Sequence, residues 1–170
     1  MKKNKISKNW INKQRRDIYV RRSKVEGYRS RAVYKLQEID QKFRIFKNGM
    51  SVIDLGAAPG SWSQYALKNV KNGKIVSIDF KDFEKIGNIH QIKGDFTDDR
   101  YKKEIVDYFG VKVDVVLSDL AVNTTGNKNL DSIYTGELCM EAMKFSKETL
   151  KSDGKFISKI FMGSTFNEIV

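Results

Sequence analysis

Two oppositely charged residues interrupt apolar runs in the second half of this 170-residue chain. Val115-Val-Leu-Ser-Asp119 closes one run on an acid, and Lys155-Phe-Ile-Ser-Lys159-Ile-Phe carries a cation inside another. A lysine within an apolar strand is costly to bury unless it is paired. Asp119 on a neighbouring strand is the obvious partner; the alternative is that Lys159 points to solvent from an edge strand. A lysine whose pKa is lowered by burial and by a second lysine can take a proton or steady a developing alkoxide. Lys35 is the candidate second lysine. The chemistry such a set suits is attack by a weakly acidic hydroxyl, such as a ribose 2′-OH.

The electrophile is indicated by a second segment. Ser51-Val-Ile-Asp-Leu-Gly-Ala-Ala-Pro-Gly-Ser-Trp62 reads as a strand, a glycine-rich turn and a helix start. The turn lets backbone approach a ligand, and a helix N-terminus offers free N–H groups. A dinucleotide fingerprint would read G-x-G-x-x-G. Here the glycines are Gly56 and Gly60, with Pro59, the only proline, between them. Proline supplies no N–H to a pyrophosphate. Asp54 adds negative charge at the strand tip, which favours a cationic ligand. S-adenosylmethionine (AdoMet), with its sulfonium and ammonium, is such a ligand; a tight turn with no ligand is the bland alternative. Asp79, ending the next strand, is placed to accept hydrogen bonds from ribose hydroxyls. Asp95, in Lys93-Gly-Asp-Phe-Thr, is placed either to accept from an adenine amino group or to cap a helix beginning near Asp98. Trp62 either packs on the methionine moiety or fills core.

These residues need a scaffold that brings strand tips together. From Met50 onward, apolar runs at Ser51–Leu55, Lys74–Asp79, Ile89–Ile92, Val113–Ser118 and Lys155–Phe161 alternate with helical segments at about 61–70, 98–109 and 132–150. Alternating strands and helices predict a parallel sheet with crossovers on its faces, and ligands beyond the C-terminal strand ends. Before this domain, residues 1–24 read as a partly helical basic arm. Ser30 is placed to cap a helix through about Phe43, with Ala32, Val33, Leu36, Ile39 and Phe43 on its apolar face. The predicted division is therefore 1–47 and 48–170.

Charge follows the same division. Residues 1–47 hold 16 basic and 4 acidic side chains, or +12; residues 48–170 hold 16 and 17, or −1. A basic segment ahead of a neutral domain points to a polyanion. One cysteine (Cys139) and one histidine (His90) argue against a disulfide framework or a histidine metal cage, so no metal is expected. No run approaches the length of a membrane span, and the basic start lacks the apolar core of a secretory signal. A reducing, cytoplasmic setting is expected, with an organelle of bacterial descent as the alternative.

The chemistry narrows by exclusion. Amino-group methylation usually places an Asn/Asp-Pro-Pro-aromatic run after the fourth strand, where this chain has Ser118-Asp119-Leu-Ala-Val. Cytosine carbon methylation needs a thiol, and Cys139 reads as a core residue in mid-helix.

At this point the sequence resembles the FtsJ/RlmE family of ribosomal RNA ribose 2′-O-methyltransferases. The resemblance rests on Gly27-Tyr-Arg-Ser-Arg-Ala-Val-Tyr-Lys35-Leu, Asp54-Leu-Gly-Ala-Ala-Pro-Gly-Ser-Trp62-Ser-Gln, Gly94-Asp95-Phe, Ser118-Asp119-Leu-Ala and Lys159-Ile-Phe. It implies an α/β, Rossmann-like AdoMet-dependent methyltransferase fold: a mainly parallel twisted sheet with helices on both faces. It implies Lys35, Asp119 and Lys159 as three members of a Lys-Asp-Lys-Glu catalytic tetrad, with Lys159 the proton acceptor. Its cofactor contacts fall on Gly60, Trp62, Asp79, Asp95 and Asp119, beside Asp54 and Gly56 from the turn itself. Its substrate is a uridine ribose in large-subunit ribosomal RNA, in the loop that receives aminoacyl-tRNA, as free RNA or a large-subunit particle; a monomer is expected. Arg29 and Arg31 are the basic residues chosen for RNA contact, and Asn123 and Tyr134 for the pocket rim.

Three departures stand out. Ser61 replaces a glycine of the family and is expected to narrow the cofactor turn; Val122 replaces a proline. The family's glutamate lies on a later strand, a role Glu168 cannot take, and the last strands of the family's sheet are missing. A longer native protein, or an impaired form, is therefore expected. Competing functions are a tRNA ribose 2′-O-methyltransferase, a non-catalytic RNA-binding ribosome assembly factor, and an NAD enzyme, the last disfavoured by Pro59 and Asp54.

Overall fold

A computed structural model describes residues 17–120 and 126–160. Trp10, Arg15, Arg16, Val122, Asn123, Phe161 and Glu168 lie outside the described residues. The elements are α1 (Ile18–Val25), α2 (Val33–Phe43), β1 (Ser51–Leu55), α3 (Ser61–Asn69), β2 (Lys74–Asp79), β3 (His90–Lys93), α4 (Asp99–Phe109), β4 (Val113–Ser118), α5 (Lys128–Thr149) and β5 (Leu150–Ser158).

All neighbouring strands pair in parallel, in the order β3-β2-β1-β4-β5. A parallel sheet is covered on both faces, so its strands read as nearly continuous apolar runs. Successive residues point to opposite faces. Val52, Ile75, Val115 and Leu117 therefore join one cluster with Val33, Leu36, Trp62 and Ala66 of α2 and α3. Ile53, Leu55, Val76, Ile78 and Val116 join another with Ile105, Phe109, Ala142 and Phe145 of α4 and α5. Helices thus cover both faces, as the fold class requires, and α2 contributes to the same core as α3.

Local chemistry sets the helix ends. Asp17 caps α1, its carboxylate accepting from Tyr19 N at 2.9 Å and Val20 N at 3.3 Å. Asp98 caps α4 by accepting from Arg100 N, and Gly110 closes it at φ 67°. Asp40 ties the end of α2 to its surroundings. One carboxylate oxygen accepts from Ile45 N at 2.7 Å and the other from Tyr65 Oη at 2.9 Å.

Three expectations change. Ser30 lies two residues ahead of the position flanking α2: that position is Ala32, without a side-chain bond, and the Ser30 hydroxyl accepts from Ala32 N at 3.3 Å and pairs with Ser61 at 2.7 Å. Phe43, placed on the predicted apolar face, is 60% exposed, while Tyr34, which was not assigned to it, is buried. Position 43 lies only about 20° around the helix from Leu36, so its exposure comes from its place as the last residue of α2, before the left-handed Arg44, and not from rotation of the buried face. The last strand begins earlier than expected, at Leu150, with an irregularity opposite Val113 and Val115. Lys159 accordingly lies just past the strand rather than within it. Among the described residues, no helix is long and apolar enough to cross a membrane.

Leu36 is fully buried. Leu36→Ala should cost about 2–5 kcal/mol of unfolding free energy, whereas Phe43→Ala should change it by no more than about 0.5 kcal/mol. Urea titration of the two variants separates them, and equal losses would refute this packing.

Candidate active site

The chain adds β2 and β3 on one side of β1, then returns to place β4 and β5 on the other. The reversal opens a crevice between the C-terminal ends of β1 and β4, the usual ligand position in such sheets. Gly56 and Asp119 follow those two ends. A Cβ on Gly56 would stand 3.0 Å from Leu120 Cα, and its φ is +73°. Only glycine permits both that conformation and so close an approach.

The turn's own N–H groups face inward. Gly56 N and Ala57 N donate to Ile78 O at 2.9 and 3.1 Å, and Ala58 N donates to Asp79 Oδ2 at 2.9 Å. Pro59 has no N–H. Three of the turn's donors are therefore bonded to β2 and not free for a pyrophosphate.

Beyond the strand tips lies a crevice of about 490 Å³ lined by Asp79, Asp95, Asp119, Ile78, Phe96 and Leu120, among others. Three carboxylates against apolar walls suit a ligand that joins a flat ring, hydroxyl groups and positive charge. Asp79 is nearly buried and accepts from Ala58 N and from Lys81 N. Each carboxylate oxygen keeps a lone pair for a further donor. Asp95 is exposed and accepts from the Thr97 N–H and hydroxyl at 2.9 and 2.8 Å. It therefore shapes the turn before α4 rather than capping the helix, a job that falls to Asp98.

A second cleft, of about 600 Å³, opens on the α1–α2 side and is lined by Arg31, Lys35, Glu38, Trp62, Asp119 and Lys159, among others. The two clefts share Asp119 and Lys159. These two form an ion pair, and Lys159 N donates to Ser118 O at 2.9 Å, holding the end of β5 against β4. Both side chains are about three-quarters shielded from solvent. The pairing expected from the sequence is thus present, at the junction of the two clefts, and Lys35 lines the same cleft.

Other residues sit differently from their expected roles. Asp54 is fully buried beneath the turn instead of at the crevice wall. The pleat turns it toward α3, where Ser63 Oγ donates to it at 2.5 Å and lies 2.6 Å from Ser77 Oγ. Burial pushes its carboxyl up to about 7, opposed by the Ser63 hydrogen bond and aided by the Asp119 and Asp79 charges. The crevice's negative charge comes from the other three acids. Trp62 donates from Nε1 to Ala32 O at 2.9 Å and packs in the α2–α3 core; it faces the second cleft, not the crevice. Ser61 is buried and turns its hydroxyl to Ser30, so it does not narrow the crevice. Tyr134 lies on a shallow surface hollow with Thr97, Leu138 and Glu141. Cys139 is buried in α5, as expected of a core residue. Arg31 pairs with Asp17 at 2.5 Å yet stays half exposed, whereas the Arg29 guanidinium is bonded to backbone carbonyls.

Sequence reading missed Ser63, which donates to Asp54, Ser77, which pairs with Ser63, and Gln64. The Gln64 side chain accepts from Arg29 N at 3.0 Å and donates to Gly27 O at 3.1 Å. The strand pleat, which puts Asp54 and Ser77 on one face in register, carries a signal for the first pair; nothing local marks Gln64.

The Asp54 environment makes a signed prediction. Its ordinary pKa is 3.8, and in the folded protein it is about 7. Between these values the native state holds a proton that the unfolded chain has released, so stability falls as pH rises through the window. The full effect is roughly 4 kcal/mol at most. Urea unfolding from pH 4 to 8 should show this fall, and Asp54→Asn should flatten it. An unchanged slope in the variant would contradict the assignment.

Residues 28–170 match the FtsJ-like methyltransferase family. The chain is 68% identical over its whole length to ribosomal RNA large subunit methyltransferase E of Pelagibacter ubique, spanning 84% of that protein. It is 44% identical over 96% of its length to the protein of the same name from Rickettsia akari, spanning 75% of it. Among solved structures, a ribosomal RNA methyltransferase of Plasmodium falciparum superposes with a TM-score of 0.76 at 35% identity, over 84% of this chain and 83% of that one. With a sheet reversal that opens onto three carboxylates, and a lysine–aspartate pair at the junction of two clefts, the chain belongs to the FtsJ-like methyltransferase family.

Proposed function

We propose that the protein methylates the 2′-oxygen of a uridine ribose in large-subunit ribosomal RNA, using AdoMet. The single observation that carries this reading is the Asp119–Lys159 pair standing where the crevice meets the α1–α2 cleft. One cleft holds the methyl donor and the other the RNA, so the shared pair faces the reacting oxygen.

When bound, AdoMet supplies an electrophilic methyl group on a sulfonium. The chain's residues do the rest by position. Asp79 accepts hydrogen bonds from the donor's ribose hydroxyls, and Asp95 from the adenine amino group. The apolar side chains of Ile78, Phe96 and Leu120 line the crevice for the flat ring. Gly56 and Gly60 shape the turn that flanks the crevice; Trp62 and the buried Asp54 support that turn from beneath. In-line displacement gains most from alignment of nucleophile and leaving group. In the other cleft, Lys159 Nζ in its neutral form takes the proton of the attacking 2′-hydroxyl. Asp119 orients it, and Lys35 lines the same cleft.

The basic side chains on the cleft wall, Arg31 and Lys35 with the outer face of α1, supply phosphate contacts. The names of the Pelagibacter and Rickettsia relatives support the ribosomal assignment over a transfer RNA substrate. They also support turnover over a purely architectural role.

Lys159→Ala should lower the methylation rate by about 10²-fold or more while RNA affinity stays within about threefold. Lys159→Arg should fail to restore it, since a guanidinium does not accept the proton. Methyl incorporation into large-subunit particles, followed by mass-spectrometric mapping of ribose methylation, reads both rates. Methylation on a base, or full activity in the alanine variant, would refute the proposal.

A further inference from the structure

The basic segment before α2 holds one arginine, Arg29, that borders the α1–α2 cleft but spends its guanidinium on backbone carbonyls. Arg29 Nη1 donates to Pro59 O at 3.0 Å and to Glu84 O at 2.7 Å, and Nη2 donates to Lys85 O at 3.2 Å. Its side chain is only 19% exposed, and the Glu84 carboxylate lies 3.5 Å away. Pro59 belongs to the turn after β1. Glu84 and Lys85 belong to the loop after β2. The first segment lines the crevice through Gly56 and Ala58, the second through Phe80 and Lys81. One planar guanidinium therefore joins the two walls of the crevice, a geometry that arginine's fixed fork of donors suits and a lysine ammonium does not.

The surroundings are built for this seat. Gly60 has a φ of +107°, and a Cβ there would lie 3.0 Å from Arg29 Nη1 and 2.5 Å from Ile86 Cδ1. The glycine leaves room for the guanidinium. The Arg29 backbone is fixed as well: its N–H donates to Gln64 Oε1, and the Gln64 amide donates to Gly27 O. Ser30 bonds to Ser61 one residue further on. Residues 27–30 thus strap the start of α3 and the turn before it.

We infer that Arg29 is a positioning residue for the methyl-donor crevice, joining its two walls through backbone carbonyls, and not an RNA contact. The inference rests on the AdoMet reading above. Losing Arg29 leaves the Pro59, Glu84 and Lys85 carbonyls without this donor and frees the two walls to separate. The consequence falls on donor binding, whereas the exposed Arg31 on the other cleft wall acts on RNA.

The test compares wild type, Arg29→Ala, Arg29→Lys and Arg31→Ala. AdoMet affinity is read by calorimetry, affinity for a large-subunit ribosomal RNA transcript at several salt concentrations, and steady-state rates against both substrates. Arg29→Ala should weaken AdoMet binding and raise its KM by about tenfold or more, with kcat at saturating AdoMet within about threefold of wild type. RNA affinity and its salt slope should stay unchanged. Arg29→Lys keeps the charge but loses the fork, so it should still weaken AdoMet binding several-fold; it also serves if the alanine variant does not fold. Arg31→Ala should do the reverse, reducing RNA affinity and the salt slope while sparing AdoMet. AdoMet affinity within twofold of wild type in both Arg29 variants, or loss of RNA affinity with a reduced salt slope, would overturn the inference. Wild type failing to bind AdoMet would instead overturn the functional reading on which it stands.

Discussion

A lysine and an aspartate cannot be shielded from water together unless each satisfies the other. That constraint organises the site. Asp119 follows β4 and Lys159 follows β5, residues forty positions apart in the chain, and they meet because those strands pair in parallel with matched C-terminal ends. Removing either partner leaves a charge in a place where water cannot fully compensate it. The pair also divides the surface: a crevice with three carboxylates lies on one side, and a cleft carrying arginine and lysine on the other. Carboxylates and basic side chains thus stand on opposite sides of a single ammonium group.

The glycine-rich turn shows how the same topological position in α/β sheets is adapted to different ligands. An open turn presents N–H groups to phosphate. Here those groups are bonded to β2, and a proline occupies the next position. The turn is consequently a rigid, carbonyl-rich wall. The Arg29 guanidinium binds one of its carbonyls together with two from the facing loop, so a positive side chain outside the crevice fixes its wall without neutralising its interior. Asp54 lies beneath the turn, its carboxyl pushed up to about 7 by burial and bonded by the Ser63 hydroxyl, so it ties β1 to α3.

The N-terminal segment is joined to this arrangement through the core. Val33 and Leu36 of α2 are fully buried with Trp62 and Ala66 of α3. The Trp62 indole donates to Ala32 O across the same contact. Because α2 carries Lys35 on the face opposite that core, the helix packing that stabilises the protein also fixes where the second lysine stands.

Much of the fold is legible in the sequence. Three strands begin and end where the apolar runs do, at 51–55, 74–79 and 113–118, because a parallel strand buried on both faces has no other pattern available. Their alternation with helices determined the architecture, and the acids at strand tips identified the crevice. Other residues depended on contacts between segments distant in the chain. Asp54 reads as a surface charge, yet the pleat turns it under α3. Arg29 reads as a surface cation, and its guanidinium reaches carbonyls 30 and 55 positions away. Ser30 reads as a cap and does accept from Ala32 N, yet its shorter bond is to Ser61, 31 positions away. Sequence alone determines which residues can be charged and how often they recur along an element. Whether that charge meets solvent, a ligand or a backbone carbonyl is decided only when the strands and helices pack, because hydrogen-bond partners are chosen by distance in space.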